Sequence, residues 1–219
     1  MFQPLRALVC TGLLAVSLPA AAADASALKP PAGAKVAVVV FMDLQSPECA
    51  RAVPMAWEAA NAHKVPLVLH DFPLPRHNWA FDAAVWARYF DQTSAALGND
   101  FRKFILANQS QITRENLPQW SERFGEENKA LVTLPNNADG KLAEKVKSDF
   151  ALGQRVGVEH SFALWVVSNS GVSQPMLDEI KDRDQLNQWI EDMLKKAQAE
   201  PAKSAPQKAA SAKKGRPKT

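Results

Sequence analysis

Lys35 to Phe41 reads KVAVVVF, a nearly continuous run of β-branched residues of strand length. Such a run fits a strand buried on both faces of a sheet, not one that shows alternate residues to water. The next residues narrow the fold further. Ser46-Pro47-Glu48 combines an N-cap hydroxyl, a proline suited to the first helical position and an acid in the first turn. The spacing predicts a helix from there to about His63, with Val53, Trp57 and Ala60 on one face and Pro54 kinking its interior. Val65 to Phe72 (VPLVLHDF) is a second strand. The three elements form a β-α-β unit, whose crossover is right-handed as a rule.

From about Asn78 to Asp149 the pattern turns helical. Phe81, Ala84, Val85, Arg88 and Tyr89 have helical spacing, as do Phe101, Phe104 and Ile105. Thr113-x-x-Asn116 precedes Leu117, Trp120 and Phe124, with Gly125 as a stop signal. Lys141 to Gly153 carries Leu142, Val146 and Phe150 at four-residue intervals. Phe162–Val167 and Val172–Leu177 are then two apolar runs joined by Ser168-Asn169-Ser170-Gly171, a hairpin signature. Asp184 to Ala197 closes the chain as an amphipathic helix through Leu186, Trp189, Ile190 and Met193. The order β-α-β, helical insert, hairpin, helix is that of an α/β thioredoxin fold with an inserted α-helical domain. Its parts are residues 35–77, 78–153 and 154–197, preceded by a linker at 24–34.

The two ends are of another kind. Arg6 followed by the apolar run Ala7–Leu18, Pro19 and four alanines reads as a signal peptide over residues 1–23, cleaved before Asp24. Val9 before Cys10 is not the small residue a lipoprotein site requires. The mature chain is therefore expected in the periplasm, or secreted. Residues 198–219 read as a disordered basic tail; from Pro201 on, six bases and no acid stand among Ala, Pro and Ser. Residues 24–200 hold 19 bases and 23 acids, so the basic sequence pI of about 8.9 comes from the tail. Charge thus gives the folded part no case for specific nucleic-acid binding. The tail is either a solvated extension or a contact for anionic envelope polymers.

Several short motifs add a resemblance. Phe41-x-Asp43-Leu44-Gln45-Ser46-Pro47-Glu48-Cys49 resembles the strand-to-helix junction of the DsbA-like thioredoxin-fold family, roughly F-S-D-F-Q-C-P-Y-C. Pro54, the run Asp71-Phe72-Pro73-Leu74-Pro75-x-His77, the stretch Phe104-x-Leu106-Ala107-Asn108-Gln109 with Ile112-Thr113, and Gly157-Val158 are similar to further family motifs, in order, across Lys35–Lys196. The resemblance implies thiol-disulfide chemistry, but three positions depart from it. Ser46 stands where the attacking cysteine belongs, Val40 where many members carry a buried acid, and Phe162 where the family has a cis-proline. A cis bond before a non-proline residue costs about 2.5–4 kcal/mol, so a trans bond is expected there.

With Cys10 removed, Cys49 is alone in the mature chain and can form no internal disulfide. Dithiol exchange needs two thiols, one an exposed thiolate. The favoured reading is a redox-inactive binding or chaperone-like protein of the cell envelope with a degenerate CxxC at Ser46-Pro47-Glu48-Cys49. Its contact patch would be Ser46, Pro47, His160, Ser161 and Phe162, and its partner an exported client protein or peptide. The alternative is a monothiol exchange or isomerase-type oxidoreductase in which Cys49 is catalytic, forming mixed disulfides with glutathione or a client, with His160 as a candidate base. Glu48 beside Cys49 would oppose a thiolate. His63, His70 and His77 lack metal-ligand spacing, and His77 is expected to cap or pack at the domain junction. No cofactor and no metal are expected.

Overall fold

The computed structural model describes residues 25–130, 140–170, 180 and 182–199. The expected leader, the second hairpin strand at Val172–Leu177 and the tail from Glu200 onward lie outside the described residues.

The first apolar run forms β1 (Val36–Met42), every residue of which is buried. It is the central strand of a three-stranded sheet among the described residues, in the order β2-β1-β3, with β2 spanning Leu67–Asp71 and β3 Phe162–Ser168. β1 runs parallel to β2 and antiparallel to β3. Between β1 and β2 lies α1 (Pro47–His63), capped by Ser46, which passes through Pro54 without ending. The expected helical block is α2 (Ala80–Asp91), α3 (Ala95–Asn108), α4 (Leu117–Glu127) and α5 (Lys141–Arg155), and α6 (Arg183–Ala199) follows β3.

The alternation of β1 decides the layering. Val36, Val38, Val40 and Met42 join Phe162, Leu164 and Val166 in a core that extends through α1 and α6 and into α2, α3 and α4 by way of Trp86, Phe90, Phe101, Ile105 and Phe124. Ala37, Val39 and Phe41 face the other way, with Ala163, Trp165, Val167 and Phe72. Gly153 lets α5 lie close on that second face, since a Cβ there would stand 2.6 Å from the Phe72 ring. Leu28 is buried in the same cluster, so part of the segment expected as a linker packs on the sheet. Gly125 is not the stop expected of it. It is buried inside α4, where packing around Phe124 outweighs the roughly 1 kcal/mol helix cost of a glycine.

A buried ionic network ties the helices to the sheet. Arg88 of α2 donates from Nε to Asp71 at the end of β2 (2.5 Å), and also to Asp149 of α5. Asp149 in turn accepts from the Asp71 backbone N–H (3.0 Å) and pairs with His70 Nδ1 (2.8 Å). Arg102 of α3, one of the largest fully buried side chains among the described residues, grips Asp91 with two parallel bonds of 2.8 and 2.9 Å. Breaking a buried pair by removing one partner costs about 3–5 kcal/mol, because the other charge is stranded.

Two measurements test this network. An alanine Cβ at position 98 would fall 1.8 Å from the Asp91 Oδ1 that Arg102 holds. Gly98→Ala should therefore destabilise the protein in urea unfolding, by about 1–3 kcal/mol, although Ala is favoured over Gly in a helix by about 1 kcal/mol. Burial raises the Asp149 carboxyl pKa, but the His70 bond, the His70 and Arg88 charges and the Asp71 N–H outweigh it and leave it below the ordinary range. A depressed carboxyl pKa gives stability that is present above the unfolded-state value and lost as pH falls through the folded one. Asp149→Asn should lower stability at neutral pH and flatten its acid-side decline.

Candidate functional site

The register of the sheet builds the site. Met42 pairs with Phe162, so the residue after β1 (Asp43) and the residue before β3 (Ser161) meet at the same sheet edge, over the start of α1. Ser46 caps that helix: its Oγ accepts from the Cys49 N–H at 3.4 Å. Ser161 Oγ donates to Ser46 Oγ at 2.7 Å and also approaches Glu48 Oε2 at 3.3 Å, while Ser46 Oγ donates to the same carboxylate at 3.1 Å. Two hydroxyls and one carboxylate thus close over the helix N-terminus.

Cys49 lies beneath them with no exposed surface. Its Sγ accepts from the Asp43 backbone N–H at 3.2 Å and donates to the Ser161 carbonyl. Burial pushes the thiol pKa up to about 12; the Asp43 N–H and the Ser46 hydroxyl pull it down, and the charges of Asp43 and Glu48 add to the rise. The group is therefore a protonated thiol across the physiological range. His160 is not among its hydrogen-bond partners, and its side chain is on the exposed part of the loop.

The loop between β1 and α1 is fixed by residues on other elements. Asp43, itself buried, accepts from the backbone N–H groups of Gln45 and Leu74 and from His77 Nδ1, each at 2.7 Å. The Gln45 side chain receives the Trp79 N–H at 2.9 Å. Gln109, at the end of α3, donates to the carbonyls of Leu44 and Ser46 at 2.6 and 3.0 Å. The motifs around Asp43, Leu74, His77 and Gln109 are accordingly braces for this junction, and their polar residues keep the backbone of a buried loop hydrogen-bonded.

No protein-family model and no curated protein matches the chain. Solved structures do. Wolbachia pipientis alpha-DsbA1 superposes with a TM-score of 0.64 at 15% identity, covering 80% of this chain and 97% of that one. The chain has the DsbA-like thioredoxin fold. A periplasmic thioredoxin-like protein from Salmonella enterica serovar Typhimurium gives 0.60 at 16% identity, over 76% of this chain and 88% of its own. Proteus mirabilis ScsC in a transitional conformation gives 0.61 at 16%, over 76% and 71%.

Within this DsbA-like fold the expected patch of Ser46, Pro47, His160, Ser161 and Phe162 does gather at one edge, but not as a surface. Ser46, Ser161 and Phe162 are buried: the first two are spent on each other, and Phe162 is the first residue of β3, packed in the core. Pro47, Glu48 and His160 are exposed. No peptide bond among the described residues is cis, so the bond before Phe162 is trans. Among those residues no group of three or more His, Cys, Asp or Glu side chains gathers to hold a metal, and His70 and His77 are engaged by Asp149 and Asp43. Cys49 behaves as a small buried side chain with two hydrogen bonds. Cys49→Ala should therefore lower stability by about 1–2 kcal/mol in denaturant unfolding, whereas a strained reactive thiol would be removed at no cost or with a gain.

Proposed function

We propose that this chain is an exported, redox-inactive DsbA-like protein of the cell envelope, which binds a client protein or peptide at the α1 end of its sheet. The observation that carries this reading is the state of Cys49: buried, hydrogen-bonded on both sides and protonated, with a hydroxyl at Ser46 where an attacking sulfur would sit. An oxygen at that position forms no disulfide, so the motif Ser46-Pro47-Glu48-Cys49 is a degenerate CxxC. Export rests on the leader reading of residues 1–23. Among the described residues no helix is long and apolar enough to cross a membrane.

The exposed rim of Pro47, Glu48, Glu159 and His160 is what a client would meet. Its two carboxylates favour an extended segment that carries a basic residue, held by contact and not by a covalent bond.

Assays of the mature protein test the reading. Insulin reduction and reduced-peptide oxidation should stay at the uncatalysed rate. Aggregation of a reduced, unfolded basic protein followed by light scattering should be suppressed, equally well by Cys49→Ala. The Ser46→Cys variant should form a disulfide between positions 46 and 49, seen as the loss of two hydrogens in the mass. Its oxidase activity should stay poor, because position 46 is buried and lies against the Glu48 carboxylate. Turnover by the wild-type protein that disappears in Cys49→Ala would overturn the proposal.

A further inference from the structure

Beside His77, which Asp43 holds through its Nδ1, a cleft of 380 Å³ opens between the segment after β2, α2 and α5. Its walls are apolar: Leu74, Phe81, Val146 and Phe150 face it together with two prolines. The polar side chains that line it are His77, Asn78 and Lys147, so it has cationic and amide groups and no carboxylate among its described lining residues. We propose that this cleft is a binding site for a small amphiphilic carboxylate, with the apolar body between α2 and α5 and the anionic head at Lys147.

Three observations carry the assignment. The walls are held by contacts of their own. Phe150 stacks on Phe72 at 4.5 Å, Val146 is fully buried against α2, and Asp149, next to Phe150, is held by Arg88 and His70. A site shaped before the ligand arrives avoids the ordering cost of forming it. The volume is at the small end of the range of about 300–1,000 Å³ seen for small-molecule sites, which suits one short chain or ring. The charge at the mouth is available. Among the described residues Lys147 pairs with Glu144, three residues away on the same exposed helix face at 2.8 Å, and such pairs are worth little. An entering carboxylate can share or take over that ammonium. His77 adds a polar edge to the cleft, held in place by the bond from its Nδ1 to Asp43.

The probes are decanoate, decanol and decylamine, titrated into the full mature protein below their micelle-forming concentrations and followed by calorimetry. Decanoate should bind saturably at one site, about tenfold more tightly than decylamine, with decanol between them. Lys147→Glu alters an exposed helix position and leaves the fold intact by circular dichroism; it should reverse the order of decanoate and decylamine. Phe81→Ser should weaken all three. No saturable decanoate binding to the wild-type protein, or an order of affinities unchanged in Lys147→Glu, would overturn the proposal.

Discussion

The Asp43 carboxylate, taken out of water at the end of β1, is where the chain's separate parts are fastened together. It accepts from Gln45, Leu74 and His77, and so joins the strand, the loop that leads into α1 and the segment that leaves β2. The same residue's backbone N–H points at Cys49 Sγ. A buried carboxylate without such partners would cost several kcal/mol. With three donors of good geometry it fixes the loop, and the loop fixes the thiol. This one residue touches both the candidate site, through Cys49, and the apolar cleft, through His77.

The competition of effects at Cys49 has a clear winner. A cysteine in the first turn of a helix gains thiolate character from the helix dipole, an effect of about 0.3–1 kcal/mol at the surface and up to ~2 in favourable geometries. The upward displacement of this thiol, from 9.0 to about 12, corresponds to about 4 kcal/mol against the charged form. Burial therefore prevails over the dipole, and the nearby carboxylates of Asp43 and Glu48 reinforce it. The Ser46 hydroxyl suits that outcome. It caps the helix as an oxygen acceptor should, and with Ser161 it fills the polar space above the thiol.

Much of the fold could be read from local signals, because those signals are local in physics as well. The run Val36–Phe41 has no polar face and so became the central strand, and Ser46-Pro47-Glu48 began a helix by satisfying its own first turn. Gly125 misled because a glycine's intrinsic helix cost is small beside the burial of Phe124. The ionic network was invisible in sequence. Asp71, Arg88, Arg102 and Asp149 come from four elements, and only the docking of α2, α3 and α5 on the sheet brings them together. At the site, the motif resemblance pointed to Ser46, Ser161 and Phe162 together, but it said nothing of their burial. Phe162 stands at the sheet edge in sequence, yet its register opposite Met42 puts it inside.

The central claim is that Cys49 is a structural thiol, and its ionisation tests that claim most directly. In a protein beginning at Asp24, Cys49 is the one cysteine, so ultraviolet absorbance of its thiolate, titrated against pH in the folded state and corrected with Cys49→Ala, reads this group alone. The account predicts no thiolate signal until the strongly alkaline range, near the point where the protein itself unfolds. A titration centred near neutral pH in the folded protein would contradict it.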